Sequence, residues 1–322
     1  MTNYTPTKTK TVTYLVVFAV VFITLMSIGT FFDFEISKAL TKSTLPKGEY
    51  FSQSAFAQAG EIFGSSPIWL AFCFAFALLV CDFAKTENKK WLKVIVCVVF
   101  ACLALVGAFM LIKDVFAYLL QQNGQEELWQ KVSIKCTAWF LAFLIWGFVM
   151  LICKYCKPNP KIRGFIMVIL CSCALYILIS VIKTPVGRVR FRTINVLYDQ
   201  TLYTPWYVVN GSRTFEGFAE DCCKSFPSGH TFSAGMICLL LCLPDVFEFA
   251  QKKYARVLLW IFCIGYTCLV GLSRIVAGAH YLTDVTFSGA LALTGVMFFR
   301  EVFLTDFACF KVLKSKTKES DV

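Results

Sequence analysis

The feature that most constrains this sequence is a series of long apolar runs. A helix needs about 20 apolar residues to cross the roughly 30 Å of hydrocarbon in a bilayer, and several runs reach that length. Hydrophobic residues make up 58% of the 322 residues and charged residues only 16%, a composition well outside that of soluble domains. The first run, residues 12–32, is too long for the apolar core of a signal peptide, and no small-residue cleavage site follows it. We therefore predict membrane-spanning helices and expect the first of them to stay in the mature protein.

These runs predict about eight transmembrane helices, and hence an all-α, polytopic membrane helix bundle. No low-complexity stretch, domain linker or clear internal repeat interrupts the series. The helices are expected near residues 12–32, 68–83, 92–112, 137–152, 165–182, 231–249, 257–271 and 281–299.

The basic residues predict how this bundle is oriented. They cluster after the second, fourth and sixth helices, and the positive-inside rule places such segments in the cytoplasm. Both termini fall on the same side of an eight-helix chain, so we predict a plasma-membrane protein with cytoplasmic N- and C-termini. The segment of residues 33–66 is counted to the outside although it contains Lys38, Lys42 and Lys47. The net charge of +11 is explained by orientation in the bilayer, and no nucleic-acid partner is expected.

Sixteen cysteines would suggest a disulfide framework in a secreted domain, but most of them lie inside apolar runs, where cysteine is a small packing residue. Only Cys222 and Cys223 fall in the longest polar connection, residues 184–226. No zinc-type spacing of cysteine with histidine occurs. We therefore expect neither a metal site nor a cofactor.

The chain has only two histidines, and the first closes the sequence Pro227-Ser228-Gly229-His230 directly ahead of the sixth apolar run. Proline and serine start helices, and glycine lets a backbone approach a ligand closely. The unpaired N–H groups of a helix N-terminus suit a phosphate. Taken alone, the pattern is explained equally well by an ordinary helix cap.

A second polar group surrounds the other histidine. Ser273 and Arg274 are followed by His280 after five residues and by Asp284 four residues later. If the eighth helix begins near His280, the spacing of four places His280 and Asp284 on one face. The carboxylate then accepts the Nδ1 proton and leaves Nε2 as a nucleophile, as in catalytic triads. The alternative is that Asp284 is a buried polar residue paired within the bundle.

Four cations stand where the fifth helix gives way to the long connection: Lys183, Arg188, Arg190 and Arg192. Basic residues at an interface often do no more than extend their charges to water. The helix count places this cluster outside, however, where topology does not favour positive charge. An anionic ligand therefore explains the cluster better.

All three groups fall at ends of the fifth to eighth helices that face the same side. Together, Lys183-x6-Arg190, Pro227-Ser228-Gly229-His230 and Ser273-Arg274-x5-His280-x3-Asp284 resemble the three motifs of the type-2 phosphatidic acid phosphatase superfamily. The resemblance covers roughly residues 165–299 and implies a six-helix-type phosphatase core at the C-terminal side.

The resemblance also implies a role for each motif residue. His280 would attack phosphorus to form a phosphohistidine, Asp284 would orient it, and His230 would protonate the leaving alkoxide. No divalent metal is required, because lysine and arginine supply the charge. Arg188 is a further candidate for phosphate binding. The residues that would hold the phosphoryl oxygens are Lys183, Arg190, Ser228, Gly229 and Arg274.

The sequence departs from the family pattern in two ways. Phe191 stands where the family usually has a proline after the motif arginine, and two additional helices precede the expected six. We therefore predict three parts: residues 1–163 with the first four helices, 164–304 with the catalytic core, and 305–322 as a basic cytoplasmic tail.

The expected activity is that of a lipid phosphate or lipid pyrophosphate phosphatase at the extracytoplasmic face, with the lipid tail of the substrate left in the bilayer. Phosphatidic acid, phosphatidylglycerol phosphate, a polyprenyl pyrophosphate such as undecaprenyl pyrophosphate, and lipid A all stay open as substrates, with the connection around Trp206 and Tyr207 as a candidate selector. A lipid phosphotransferase with the same site is an alternative. A non-catalytic phospholipid transporter is a second one, but it leaves the pairing of His280 with Asp284 unexplained.

Overall fold

The computed structural model of the chain describes residues 8–156 and 160–307. Within these ranges the fold consists of α-helices and short 3₁₀ turns, without a β-strand, and this confirms the predicted all-α class. The α-helices are α1 (Lys8–Thr41), α2 (Ala55–Gly64), α3 (Ser66–Thr86), α4 (Lys90–Gln122), α5 (Val132–Lys154), α6 (Pro160–Val186), α7 (Phe191–Leu197), α8 (Gly229–Gly235), α9 (Leu243–Val246), α10 (Lys253–Val276) and α11 (Leu282–Phe303).

Eight helical segments of the described chain are long and apolar enough to cross a membrane, which confirms the predicted number. The first is longer than predicted, because α1 continues beyond the apolar run to Thr41. The segment counted to the outside after that run also contains a whole helix, α2. The predicted basic tail lies outside the described residues from 308 onwards. The spans are Val12–Thr41, Ala55–Thr86, Lys90–Gln122, Val132–Lys154, Pro160–Leu197, Gly229–Val246, Lys253–Val276 and Leu282–Phe303.

The outer faces of these helices carry apolar side chains that no other part of the described chain covers. Phe31 is 79% exposed and Phe140 is 63% exposed. Soluble monomers rarely expose contiguous apolar surfaces of such extent, whereas lipid tails solvate them well. The protein is therefore an integral membrane protein.

The sixth span, Gly229–Val246, is the most buried of the eight: 61% of its apolar window lies inside the protein, against 11–33% in the other spans. It is not one regular helix. A 3₁₀ segment, Met236–Cys242, separates α8 from α9, and Pro244 lies in the first turn of α9, where its missing N–H is tolerated. Since α8 packs against both α10 and α11, it is surrounded by other helices of the bundle.

The two N-terminal helices α1 and α2 contribute to the same end of the bundle as the motif residues. α1 packs along α11, while α2 packs against α10 and α8. The last turn of α6 and the first turn of α8 also lie at this end, because Lys183 Nζ lies close to Gly229. The N-terminal part of the chain is therefore in direct contact with the helix ends that carry the motifs.

The long connection between α6 and α8 is folded over this end. It contains α7 and two short 3₁₀ turns, Gln200–Leu202 and Glu220–Cys223. Its two halves are joined by backbone hydrogen bonds, from Arg190 N to Cys222 O (2.9 Å) and from Ser225 N to Arg188 O (3.0 Å). A third bond, from Arg192 N to Gly278 O (2.8 Å), ties the connection to the turn between α10 and α11. The predicted polar connection is thus a structured cover over the helix ends.

Candidate active site

The motif residues lie on four helix ends that meet under the connection. Lys183 is in the last turn of α6 and Arg274 is in the last turn of α10. His230 is the second residue of α8, and Asp284 lies in the first turn of α11. His280 lies in the short turn before α11, which begins at Leu282. The proximity of His280 and Asp284 is therefore produced by the turn that starts the helix, not by helical spacing.

His280 is 1% exposed, and its Nδ1 atom lies 2.6 Å from the carbonyl oxygen of Ser225. The nearest carboxylate oxygen, Asp284 Oδ2, is 3.7 Å from Nδ1, which is beyond hydrogen-bond distance. The Nδ1–H group thus donates to the backbone of Ser225, while Asp284 acts through its charge. This tautomer leaves the lone pair on Nε2. The expected direct hydrogen bond from His280 to Asp284 is replaced by a backbone acceptor.

Burial lowers the pKa of His280 to about 3. The carboxylate of Asp284 opposes this shift, whereas the positive charges of Arg190 and Lys183 add to it. The imidazole of His280 is therefore neutral at neutral pH. A neutral ring with a free Nε2 lone pair is the form that can act as a nucleophile.

Asp284 is completely buried and is held by several donors. Its Oδ2 atom accepts hydrogen bonds from Ser225 Oγ (2.5 Å) and from the backbone N–H of Tyr281 (2.9 Å). Its Oδ1 atom accepts one from Arg188 Nη1 (2.5 Å). The bond to Tyr281 is one half of a capping box, in which the third helical residue reaches back to the residue before the helix. The carboxylate is therefore fixed by the helix start.

Arg188, the further phosphate-binding candidate, lies behind Asp284 with all three guanidinium nitrogens in use. Besides its bond to Asp284, it donates from Nη2 to Asp33 Oδ2 (3.0 Å) and from Nε to the carbonyl of Thr204 (2.9 Å). Its guanidinium group also lies 4.1 Å from the ring centre of Tyr281. Because two carboxylates already occupy this cation, the geometry favours a role in holding Asp284 over a role in binding phosphate.

Arg274 and Arg190 differ from Arg188 because they keep unused donors. Arg274 is fully buried and donates from Nη2 to Glu61 Oε1 (2.8 Å), but its Nε and Nη1 atoms have no partner. Arg190 pairs through Nη2 with Asp221 (3.0 Å), and its buried Nε atom has no partner. Buried donors without partners are rare in native proteins, because each costs desolvation energy. Together these donors are suited to a ligand with several acceptor oxygens.

Gly229 and Ser228 shape the backbone beside these cations. A Cβ atom at Gly229 would lie only 3.2 Å from Lys183 Nζ, so glycine lets the ammonium group approach the main chain. The hydroxyl of Ser228 accepts a hydrogen bond from the backbone N–H of Thr231 (3.3 Å) and lies 2.9 Å from Thr231 Oγ1. Ser228 is thus the N-cap of α8.

His230 lies in the same pocket as His280. Its Nε2 atom is buried without a partner, and its ring packs edge-on against Tyr118 with the ring centres 5.1 Å apart. It is close enough to Arg274, His280 and Lys183 for their charges to act on it. The structure therefore brings both imidazoles to one group of cations.

Four residues of this pocket were not found from the sequence: Asp33, Glu61, Asp221 and Ser225. The first two are acidic residues in segments counted as apolar or external, and an ionisable group within a membrane span is a functional signal that could have found them. Burial would raise the pKa of Asp221, but Arg190, Arg192 and Lys183 together lower it, so the carboxylate stays ionised.

Cationic side chains dominate the pocket. In the part of the chain that the structure describes, no group of three or more His, Cys, Asp or Glu side chains is arranged to ligate a metal ion.

Residues 164–307 match a family model described as the PAP2 superfamily. Comparisons with curated proteins and with solved structures found no match.

Proposed function

We propose that this chain, whose residues 164–307 match the PAP2 superfamily model, is a membrane-embedded phosphatase that hydrolyses a lipid phosphate or lipid pyrophosphate through a phosphohistidine. The observation that carries the proposal is that His280, with its Nδ1 atom bonded to the Ser225 carbonyl, lies in one pocket with the buried, unpartnered donors of Arg274 and Arg190. A nucleophile beside fixed cations is what phosphoryl transfer requires, since charge develops on the equatorial oxygens of the phosphoryl group.

The formal charges around the pocket favour an anion. Five cations face four carboxylates, which leaves one positive charge; the cations are Lys183, Arg188, Arg190, Arg192 and Arg274, and the carboxylates are those of Asp33, Glu61, Asp221 and Asp284. A phosphomonoester carries about −1.5 to −2 charges at neutral pH. The positive sum would therefore attract its headgroup, and it would not attract a neutral one.

The first chemical step transfers the phosphoryl group to the enzyme. The Nε2 lone pair of His280 attacks phosphorus and forms an N–P bond, while the bond from phosphorus to the leaving oxygen breaks in line. His230 gives a proton to that oxygen, so that the leaving group departs as an alcohol, or as a monophosphate from a pyrophosphate. Throughout, Nδ1–H of His280 stays hydrogen-bonded to the Ser225 carbonyl, and the charge of Asp284 stabilises the ring as it becomes positive.

Water completes the cycle. It attacks the phosphohistidine, His230 takes one of its protons, and the N–P bonding pair returns to Nε2 as inorganic phosphate leaves. Lys183, Arg190 and Arg274 hold the phosphoryl oxygens in both steps. Because lysine and arginine supply the positive charge, we expect EDTA to leave the activity unchanged and vanadate, which mimics pentavalent phosphorus, to inhibit it.

The lipid tail of the substrate would remain among the spans while its headgroup enters from the end of the bundle. The basic segments after the second, fourth and sixth spans support a cytoplasmic location for the opposite end. The pocket then opens to the extracytoplasmic side of the plasma membrane. Intact cells with a substrate that cannot cross the membrane would test this orientation.

The direct test is phosphate release by the purified protein in lipid vesicles. A panel would contain phosphatidic acid, phosphatidylglycerol phosphate, a polyprenyl pyrophosphate and lipid A, each assayed with and without EDTA. The blank is His280→Ala, and the matched control is Cys268→Ala, an exposed residue of α10. The blank should lose on the order of 10⁴-fold or more in rate, as other covalent catalysts do without their nucleophile.

Labelled substrate adds a chemical signature. A phosphohistidine survives alkali and is lost in acid, so label trapped on the wild-type chain should show that pattern and be absent from His280→Ala. Label found on an acceptor lipid instead of in phosphate would identify a phosphotransferase. Full activity in a folded His280→Ala protein would end the proposed mechanism.

A further inference from the structure

Helix α2 lies outside the segment that matches the family, yet it contacts the candidate active site directly. We infer that Glu61 of α2 is a positioning residue, which holds the Arg274 guanidinium in the orientation that binds the phosphoryl oxygens. The inference rests on the proposed function, and it assigns a specific role in the reaction to the N-terminal part of the chain.

The contacts of Glu61 join two arginines. Its Oε1 atom accepts a hydrogen bond from Arg274 Nη2 (2.8 Å) and lies 3.4 Å from Arg192 Nη1. Its Oε2 atom lies 3.4 Å from Gln122 Nε2 of α4. The side chain is only 7% exposed, and such a carboxylate is held in place only where charge-assisted bonds compensate its burial.

The backbone of α2 is shaped for this approach. Gly60, the residue before Glu61, lies so close to α10 that a Cβ atom there would overlap the side chain of Ser273. Ser273 is the residue before Arg274. The absence of a side chain at Gly60 therefore lets α2 pack against the motif itself, which places the Glu61 carboxylate beside the guanidinium group.

The consequence for Arg274 is geometric. A guanidinium group presents its donors in a rigid planar fork, so fixing one nitrogen fixes the direction of the others. Glu61 holds Nη2, while Nε and Nη1 are left without partners. Glu61 also lies between Arg274 and Arg192, where its negative charge reduces the repulsion between the two like charges. Both effects keep two donors of Arg274 available to the phosphoryl group.

Two substitutions separate position from charge. Glu61→Gln keeps an oxygen acceptor at the same reach and removes the charge, whereas Glu61→Asp keeps the charge and withdraws it by one methylene group. If Glu61 positions Arg274, the Gln variant should keep kcat within about fivefold, and the Asp variant should lose about 100-fold in kcat, the cost of a displaced catalytic contact. The KM values should change little, since the lost contact matters most in the transition state.

The control is Gln58→Ala, which alters α2 one turn earlier. It removes the hydrogen bond that Gln58 Nε2 donates to the Ser52 carbonyl, and it leaves the backbone carbonyl of Gln58 that accepts from Gln122. This variant should keep wild-type kcat. A loss in Gln58→Ala as large as that in Glu61→Asp would show that only the packing of α2 matters, and it would overturn the inference.

A double-mutant cycle gives the sharpest test. In the Arg274→Ala background, Glu61→Ala should change kcat by less than about threefold, because the residue that it positions is gone. Independent, multiplying losses would overturn the inference. So would a rise in the activity of Glu61→Ala, since the carboxylate would then be a competitor for Arg274. If Glu61→Ala does not fold, the kcat values of Glu61→Gln and Glu61→Asp alone test the inference.

Failure of this inference is distinguishable from failure of the proposed function. A wild-type protein that releases no phosphate from any lipid of the panel contradicts the proposed function itself. An active wild-type protein whose Glu61→Asp variant has unchanged kcat contradicts only the role of Glu61. Vanadate binding, measured as a thermal shift, gives a second readout: it should weaken at least tenfold in Glu61→Asp and stay close to wild type in Gln58→Ala.

Discussion

Arg188 and Arg274 are both completely buried at the same end of the bundle, but their partners differ. Every nitrogen of the Arg188 guanidinium group donates a hydrogen bond, and two of its acceptors are the carboxylates of Asp33 and Asp284. Arg274 has one bonded nitrogen, and it shares its single carboxylate, Glu61, with Arg192. A guanidinium group whose donors are all used holds the protein together, whereas one with unused donors is available to a ligand.

At the opposite end of the bundle, Arg300 is a second arginine whose donors are all used. There, Arg300 forms a two-pronged pair with Asp245, through Nε (2.6 Å) and Nη2 (2.8 Å), and its Nη1 atom reaches Glu301 (3.0 Å). Arg300 is thus satisfied in the same way as Arg188. Among the arginines that the structure describes as buried, Arg190, Arg192 and Arg274 each keep an Nε atom without a partner, whereas Arg188, like the partly buried Arg300, keeps none.

The largest effect on stability is expected from Arg188→Ala. The substitution leaves Asp33 and Asp284 buried without their cation, and breaking a buried pair by removing one partner costs about 3–5 kcal/mol. Unfolding in detergent, followed by helical circular dichroism, would measure the loss. Arg188→Lys should recover part of the lost stability, because one ammonium group can replace only some of the hydrogen bonds that the guanidinium group donates. If Arg188→Ala were as stable as the wild type, Arg188 would not have the structural role that distinguishes it from Arg274.

Arg274→Ala should show the reverse pattern. Removing one preorganised donor from a transition-state site costs about 10²–10³-fold in kcat, which corresponds to about 3–4 kcal/mol. Its free energy of unfolding should change far less than that of Arg188→Ala, because Glu61 keeps Arg192 as a cationic partner and because two unpartnered buried donors are removed with Arg274. Steady-state phosphate release and unfolding would be measured on the same preparations. A variant that loses stability but keeps kcat would contradict the assignment.

Vanadate binding sharpens the same comparison. A ligand that binds only the folded state raises the free energy of unfolding, by about 2.7 kcal/mol at 100 times its Kd, and the unfolding temperature rises with it. Vanadate should therefore stabilise the wild type and Arg188→Lys, but stabilise Arg274→Ala little at the same concentration. Equal shifts in the wild type and in Arg274→Ala would show that the anion does not use this arginine.

The sequence predicted the eight spans and the motif residues because both signals are local. A run of apolar residues is read without knowing its neighbours, and each motif occupies a few consecutive positions. The extension of α1 to Thr41 and the helix α2 were not predicted, because both carry charged residues, such as Asp33 and Glu61, that interrupt the apolar pattern.

The partners of the motif residues could not be predicted for a different reason. Arg188 meets Asp33 across 155 positions, and Arg274 meets Glu61 across 213. Such pairs are set by the packing of the bundle, and no spacing rule anticipates them. The acceptor for His280 Nδ1 is a backbone carbonyl, that of Ser225, and a carbonyl has no residue type that a sequence could reveal. The candidate roles of the motif residues themselves stay predictions.

A smaller effect is expected from pH. The pKa of His280 is lowered from about 6.5 in the unfolded chain to about 3 in the folded one, first by burial. Between these values the unfolded state binds more protons, so stability falls as pH falls, with a slope of up to about 1.4 kcal/mol per pH unit for one group. The part of this slope that belongs to His280 should be absent from His280→Asn. Parallel stability curves of the two proteins between pH 6.5 and pH 4 would contradict a neutral, buried imidazole.

The smallest effect is expected where an arginine pair is exposed. Arg163 lies 2.9 Å from Asp82, but its side chain is 57% exposed, so water screens the pair and already solvates the guanidinium group. Arg163→Ala should lower the free energy of unfolding by less than about 1 kcal/mol and leave kcat unchanged. The same assays as for Arg188→Ala and Arg274→Ala would be used. If this variant were as damaging as Arg188→Ala, pairing as such, and not burial with complete satisfaction of the donors, would be what distinguishes the arginines of this protein.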